Sequence, residues 1–192
     1  MGLLEPIKKR KPSSLFDLEF NVEIPDLDSS SILFNALSGT TAKNGWEGFK
    51  DTPYKDGEVM SIGFGRRAKK GESKTTREME EAWLRDRVSQ EIDFIRANVN
   101  VDLSPNQEAS LASLSYNIGR NAFKNSEALK FLNKGDIKSF AFEAFDPQKG
   151  FVKMGDKIIP GLQNRREKER LMFFENWKTR NIYRAILPAW EC

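Results

Sequence analysis

Apolar side chains recur every three or four residues in the middle of the chain. Met79, Trp83, Val88, Ile92 and Ile95 follow this spacing, which is the period of one face of an α-helix. The pattern predicts a long helix over about residues 76–98, preceded by a capping-box pattern that begins at Thr75. A helix of this length would join two lobes.

Five other helices are predicted from residues that favour helix starts. These starts are the Asp28–Ser31 cluster, Ser104 with Pro105 and Gln107, Ser126, Asp136 and Pro160. The first helix would break near Gly39 and re-form towards Trp46, and the last would extend to about Trp177. Residues 51–66 instead contain glycine, proline and short apolar runs, a pattern typical of a small irregular sheet.

The two ends of the chain differ in pattern from its middle. Residues 1–28 combine the basic cluster Lys8–Lys11 with three prolines and lack a periodic apolar face, which is typical of an extended arm. We therefore expect an arm at 1–28, one folded domain at 29–180 and a tail at 181–192. The apolar stretches are too short to cross a membrane. No secretory signal pattern opens the chain, so we expect synthesis in a cytoplasm.

The net charge and the cysteine content exclude few classes of function. The net charge is +3, and residues 149–192 contain ten Lys and Arg against five Asp and Glu. This excess suits a polyanionic partner, such as nucleic acid or an anionic cell-wall polymer, and it suits a solvated helix face equally well. Cys192 is the only cysteine, so no disulfide can form within the chain.

The absence of histidine restricts the chemistry more sharply. It excludes Ser-His-Asp triads, Cys-His dyads and His-based zinc sites, and the scattered acids do not suggest a metal site. Glycoside hydrolysis is the main reaction that needs only two carboxylates. Glu47 lies nine residues before Asp56 in a Gly-rich segment and supplies such a pair. Two surface carboxylates in a loop are the alternative interpretation.

A series of fragments in fixed order carries a resemblance to one family. They are Glu47-Gly48, Tyr54-Lys55-Asp56, Ser61-Ile62-Gly63-Phe64-Gly65, Ser115-Tyr116-Asn117-Ile118-Gly119, Leu132-Asn133-Lys134-Gly135-Asp136 and the run Ile159–Arg170. Over about residues 32–177 the sequence resembles the phage-type lysozymes, the muramidases of bacteriophages. The resemblance implies a mainly α (α+β), two-lobed lysozyme-like fold. A small β-sheet lobe would be joined by a long connecting helix to a helical C-terminal lobe.

The resemblance also implies roles for residues of the small lobe. Glu47 would be the general acid, Asp56 the second carboxylate, and Ser61 a hydroxyl that helps to hold the attacking water. Tyr54, in the same motif as Asp56, would contact substrate. The family usually has a threonine six positions after the aspartate, whereas Ser61 follows Asp56 by five. The turn after Ser61 is also often followed by histidine, and Arg66 stands there instead.

Three further substrate-binding candidates come from the helical lobe. By the resemblance, Asn117 would contact saccharide, although its amide would serve equally well to cap the end of a helix. Arg165 or Arg166 would approach Glu47 and interact with anionic peptidoglycan. The alternative for either arginine is a surface pair with Glu169.

Together with the carboxylate pair, the resemblance implies a peptidoglycan hydrolase that acts as a monomer, without cofactor or metal, on the β-1,4 bond between N-acetylmuramic acid and N-acetylglucosamine. A lytic transglycosylase, using Glu47 alone, and a non-catalytic virion structural protein are the alternatives. Asp56 argues against the first, and the shortened Asp56-to-Ser61 loop favours the second. We expect no nucleic-acid partner. The protein would reach the periplasm or cell wall through a pore, or travel in the virion with its arm bound to other virion proteins.

Removal of the arm tests the predicted domain limits. A chain that begins at Asp28 should keep its cell-wall activity and lose only attachment, because residues 1–28 have no periodic apolar face. The alternative is that Phe16 and Phe20 pack onto the domain. Thermal unfolding separates the two, since a drop of more than about 8 °C corresponds to well over ~1 kcal/mol for a domain of this size and would rule out a detachable arm.

Overall fold

The computed structural model describes residues 27–39 and 45–175. Its helices are α1 (Ser29–Ser38), α2 (Arg77–Asn98), α3 (Pro105–Ile118), α4 (Arg120–Lys124), α5 (Glu127–Asn133), α6 (Ile137–Phe145) and α7 (Pro160–Phe173). Strands β1 (Lys50–Asp56), β2 (Val59–Gly63) and β3 (Arg66–Arg67) form an antiparallel sheet in that order, and β4 (Lys153–Met154) pairs with β5 (Lys157–Ile158). The predicted class is confirmed. The arm and the tail lie outside the described residues and stay predictions.

Helix α3 lies at the centre of the helical lobe. It packs against α1, α2 and α7, and all its residues from 109 to 115 are buried. An aromatic cluster joins α6 to the end of α7 and consists of Phe140, Phe145, Phe173 and Phe174. The ring centroids of Phe140 and Phe173 are only 4.9 Å apart. Such tilted aromatic pairs add packing energy to the apolar area that they bury. The central helix therefore fixes the positions of α1, α2 and α7.

The long helix α2 matches the predicted range at both ends, within one residue. Val88, Ile92 and Ile95 are buried, as the apolar spacing predicts. Met79 is the exception, because its side chain is 64% exposed. In the first turn of α2 the next residue, Glu80, is buried instead. A charged side chain therefore faces the protein interior where the apolar pattern predicts that Met79 does.

Most predicted helix starts coincide with observed N-caps. The side chains of Asp28, Ser104, Ser126 and Asp136 each accept a hydrogen bond from the backbone N–H three residues further on. The prediction at Thr75 is wrong by one residue, since Thr76 caps α2. The Thr75 hydroxyl instead donates to the Glu80 carboxylate at 2.7 Å. A tertiary partner therefore shifts the cap along the chain.

A buried ionic cluster attaches the sheet to α2. Arg66 Nε donates to both Glu80 oxygens, at 2.9 and 2.8 Å, while its terminal nitrogens donate to Glu72. Hydrogen bonds from Arg66 and from the Lys69 backbone lower the pKa of Glu72 to about 2. Gly63 has a φ of +66°, and a Cβ there would lie 2.1 Å from a Glu80 oxygen. Glycine is therefore required at this close approach.

The last described helix is shorter than the sequence predicts. Helix α7 ends at Phe173, with Phe174 as its C-cap, rather than continuing to about residue 177. Both phenylalanines are buried and return the chain towards the aromatic cluster. In the part of the chain that the structure describes, no helix is long and apolar enough to span a bilayer.

Replacing Arg66 by Met should destabilise the protein strongly, because it leaves the Glu80 carboxylate buried without a cation. Breaking a buried pair from one side costs about 3–5 kcal/mol. Arg67→Met is the matched control, since Arg67 follows directly in β3 and its side chain is exposed. Urea unfolding at neutral pH should show the loss for Arg66→Met alone, and equal midpoints for the two variants would contradict the anchoring role.

Candidate active site

The segment that carries Glu47 is attached to the C-terminal end of α1. Trp46 N–H donates to the Ala36 carbonyl at 2.9 Å, and Glu47 N–H donates to the Leu37 carbonyl at 3.1 Å. Residues 45–47 are a bent segment, so the prediction that the helix re-forms here is wrong. The chain bends because Gly45 lies against the end of α1, where a Cβ would meet the Leu37 carbonyl oxygen at 2.5 Å.

The Glu47 carboxylate lies between the two lobes. One of its oxygens forms an ion pair with Arg165 Nη1 of α7. A Cβ placed on Gly65, in the turn between β2 and β3, would lie 3.8 Å from its other oxygen. The Glu47 side chain is 21% exposed, so solvent or a ligand can reach it. A partly buried carboxyl group thus meets a guanidinium from the far end of the folded domain.

The second carboxylate is on the β1–β2 hairpin. Asp56 is exposed at the end of β1, whereas Ser61 in β2 is only 2% exposed. Ser61 Oγ lies 3.5 Å from Asp56 Oδ2, at the long limit of a hydrogen bond. Gly57 allows the tight turn between the strands, with a φ of +60°. The hydroxyl and the carboxylate therefore meet even though the loop between them is short.

Both carboxylates affect the pKa of the Tyr54 hydroxyl. Tyr54 lies opposite Ser61 in the sheet register. Burial raises the pKa of its hydroxyl, and the negative charges of Asp56 and then Glu47 raise it further. The charges of both acids therefore act on this one phenol. Tyr54 and Asp56 are two residues apart on β1 and share one face of the hairpin, where Ser61 lies opposite Tyr54.

Both candidate arginines are buried around one carboxylate. Arg165 is 9% exposed, and Arg166 and Glu169 are fully buried. Arg165 Nε donates to Glu169 Oε1 at 3.1 Å, and Arg166 Nη2 donates to the same oxygen at 3.0 Å. Ser113 Oγ of α3 donates to it as well, at 2.7 Å. The alternative of a surface pair with Glu169 is therefore wrong for both arginines, because α7 turns this face towards α3.

The two arginines differ in electrostatic surroundings. Burial opposes the charge of Arg165, but the nearby Glu47 and Glu169 carboxylates outweigh it and raise its pKa. Burial lowers the pKa of Arg166, although Glu169 acts in the opposite direction. Two causes contribute to this difference: of the two arginines only Arg165 contacts Glu47, and the positive charge of Arg165 lowers the pKa of Arg166. Since a guanidinium is protonated at any ordinary pH, both side chains remain cations.

Asn117 lies near the end of α3 with an exposed side chain. Its Oδ1 accepts a hydrogen bond from Arg166 Nη2 at 2.8 Å. Gly119, and not Asn117, forms the C-cap of α3. The amide is thus oriented by the arginine cluster, which leaves its NH2 group facing away from that bond.

Tyr116 is part of the site, although the sequence motifs predict no role for it. Its hydroxyl donates to the Phe64 carbonyl at 3.1 Å, which ties α3 to the turn that faces Glu47. Burial and the Glu47 charge raise the pKa of Tyr116 well above its usual range, so the hydroxyl keeps its proton. The only signal in the sequence is a tyrosine directly before Asn117, which does not indicate this contact.

The architecture is that of a lysozyme-like protein. It has a small sheet with one acid just before its first strand and another at the end of that strand, a long helix, and a helical lobe that supplies an arginine. The chain belongs to the phage lysozyme family, whose model matches residues 44–169. It is 32% identical over 138 residues to a SAR-endolysin of Enterobacteria phage P21, covering 70% of this chain and 81% of that protein.

Two further comparisons agree with this family. The chain is 35% identical over 107 residues to an endolysin of Bacillus phage B103, covering 56% of this chain but only 39% of that protein. A crystal structure of a mutant P22 lysozyme aligns with a TM-score of 0.59 and 30% identity, over 77% of this chain and 98% of that chain. The chain therefore spans less than half the length of the Bacillus phage relative.

Replacing Tyr116 by Phe should lower the rate of cell-wall hydrolysis without unfolding the protein. A neutral hydrogen bond is worth about 0.5–1.5 kcal/mol, so we expect a fall in kcat of roughly 2- to 10-fold with little change in KM. Ser115→Ala is the control, because it removes a buried hydrogen bond to Glu91 elsewhere on α3. If both variants lost stability but kept kcat, Tyr116 would not position the turn.

Proposed function

We propose that this chain is a phage peptidoglycan hydrolase that cleaves the β-1,4 bond between N-acetylmuramic acid and N-acetylglucosamine. Glu47 is the general acid, Asp56 the second carboxylate and Ser61 the residue that helps to hold water. The observation that carries the proposal is the contact of Arg165 with Glu47, opposite a hairpin where a carboxylate and a hydroxyl lie 3.5 Å apart. This arrangement supplies both groups that glycoside hydrolysis requires.

The reaction needs one proton delivered and one removed. Glu47 gives its proton to the glycosidic oxygen as the bond to C1 breaks, and a carboxylate then forms beside Arg165. Water held by Ser61 Oγ attacks C1 from the opposite face and loses a proton to Asp56. We infer inversion at C1, because a hydroxyl beside the second carboxylate suits a positioned water better than a covalent intermediate.

The lytic transglycosylase remains the second candidate enzyme. It would use Glu47 first as acid and then as base, and it would need no second carboxylate. The proximity of Ser61 to Asp56 favours hydrolysis, since a buried hydroxyl has no task in the rival reaction. The same distance weakens the case for a non-catalytic protein, because the short loop does not separate the two groups.

Tyr54 and Asn117 are proposed to contact the glycan on either side of the acids. Tyr54 lies in the hairpin, where the charges of both carboxylates raise the pKa of its hydroxyl, and Asn117 is exposed on the helical lobe. We propose that Arg165 holds Glu47 in place and that Arg166 orients Asn117. Arg166 therefore acts on substrate only through the amide.

The names of the relatives suggest the biological setting. Endolysin and SAR-endolysin are the names given to proteins of phages B103 and P21. We propose that this chain likewise acts on the bacterial cell wall, either during host lysis or from a virion to which the arm at 1–28 attaches it. Activity recovered from purified virions would favour the second.

Replacing Glu47 by Gln should abolish most of the lytic activity, because the amide keeps the size of the side chain but has no dissociable proton. Positioned general acids contribute about 10²- to 10⁴-fold, and we expect a loss of that size in turbidity assays on purified peptidoglycan. Glu58→Gln, at an exposed residue in the turn of the β1–β2 hairpin, should retain full activity. Circular dichroism would verify that both variants are folded.

Wild-type activity in the Glu47→Gln variant would overturn the assignment of the acid. Mass analysis of the wild-type products then separates the rival reactions. Hydrolysis adds one water to each broken bond, whereas a transglycosylase leaves an anhydro end without added water. No soluble product from the folded wild-type protein would indicate a non-catalytic scaffold.

A further inference from the structure

Arg77, the first residue of α2, donates to the end of α1. Its Nη2 lies 3.1 Å from the Ser38 carbonyl oxygen and 3.4 Å from that of Gly39. The last carbonyl groups of a helix lack partners within the helix and carry partial negative charge, so a guanidinium suits this position. The two preceding carbonyls of α1 accept the backbone N–H groups of Trp46 and Glu47. Arg77 and the segment that carries the proposed acid therefore share one helix end.

The same guanidinium lies against two aromatic rings beside that segment. Its Cζ is 5.3 Å from the centre of the Phe64 ring and 5.8 Å from that of Phe49, and the two ring centroids are 5.4 Å apart. A cation within about 6 Å of a ring centroid is attracted to the ring. Phe49 follows Glu47 by two residues. Phe64 directly precedes Gly65, where a Cβ would lie 3.8 Å from a Glu47 oxygen.

Glu81 also holds the guanidinium. Arg77 Nε donates to Glu81 Oε1 at 2.7 Å, one turn further along α2. Partners on α1, on the small sheet and on α2 thus surround one planar group, which favours a single orientation. Among the hydrogen bonds and ion pairs of the described residues, none joins Arg77 to the Glu47 carboxylate, which pairs with Arg165. Any effect of Arg77 on the acid must therefore act through the backbone and the rings.

We propose that Arg77 is a positioning residue for Glu47. It joins the end of α1 to the Phe49–Phe64 ring pair, and it thereby holds the segment that carries the acid against the turn that contains Gly65. Proton transfer depends steeply on such placement, since a shift of about 1 Å can cost roughly 10²-fold in rate. This inference rests on the proposed function, because it concerns the acid assigned there.

Replacing Arg77 by Met tests the role, because methionine keeps an apolar side chain and removes both the charge and the donors. We expect kcat on soluble peptidoglycan fragments to fall by about 10- to 100-fold, with KM unchanged because Arg77 does not touch the proposed substrate. Arg77→Lys should restore part of kcat, since an ammonium group can still donate to a carbonyl of α1. Rates are referred to the folded fraction measured by urea unfolding.

Arg85→Met is the matched control. Arg85 is an exposed arginine of the same helix, and its guanidinium also lies on an aromatic ring, with Cζ 3.7 Å from the centre of Phe34. None of its contacts reaches the segment that carries Glu47. We expect this variant to keep the kcat of the wild-type protein.

A double variant separates positioning from a general loss of structure. Once Glu47→Gln has removed the acid, its placement no longer matters, so adding Arg77→Met should reduce the residual rate little further. Independent effects would instead multiply. The comparison of kcat with KM and the partial rescue by lysine decide the same question without relying on the residual rate.

Four results would overturn the inference. They are an unchanged kcat in Arg77→Met, an equal fall in Arg85→Met, a loss confined to KM, and losses that multiply in the double variant. Any of these would leave the proposed function intact as long as the wild-type protein hydrolyses peptidoglycan and Glu47→Gln does not. Wild-type activity in Glu47→Gln alone would overturn the proposed function and this inference with it.

Discussion

The arrangement of the two lobes depends on one buried carboxylate, Glu169, and on the two arginines that share it. Glu169 Oε1 accepts from Arg165, Arg166 and Ser113, and its other oxygen pairs with Arg166 Nε at 2.8 Å without the alignment of a hydrogen bond. An isolated buried charge is costly, and excellent geometry is needed to offset its desolvation. The cluster meets this condition because Ser113 of α3 and both arginines of α7 donate to the same carboxylate. Arg165 also forms an ion pair with Glu47 of the small lobe.

Buried glutamates paired with arginines also lie where other elements meet. Glu91 of α2 is fully buried and pairs with Arg87 and Arg120, while Ser115 of α3 donates to it. Glu80 and Arg66 attach the sheet to the start of the same helix. Apolar packing tolerates small changes of angle between elements, whereas a buried carboxylate accepts only a few donor positions. These clusters therefore specify how the lobes sit around the proposed site, and the apolar core supplies the bulk of the stability.

The sequence predicts the helices well because their signals are local. Ser104 with Gln107, and Asp136 with Ser139, lie within one turn of each other, so tertiary structure is not needed to recognise them. Thr75 shows where this fails, since either threonine can cap a helix and a contact with Glu80 decides between them. For the site, the motifs predict which residues to examine, but spacing along α7 does not show that both arginines face inward. Tyr116 escapes prediction because its role depends on a hydrogen bond to Phe64, which is 52 residues away in the sequence.

The rigidity of the arginine cluster bears directly on the proposed chemistry. When Glu47 gives up its proton, a negative charge appears beside Arg165. That guanidinium is already held by Glu169 and by Ser113 of α3, so it need not move to meet the new charge. A preorganised cation of this kind stabilises developing charge without the reorganisation that water would require. The buried carboxylate that joins α3 and α7 thus also fixes the cation beside which the proposed acid reacts.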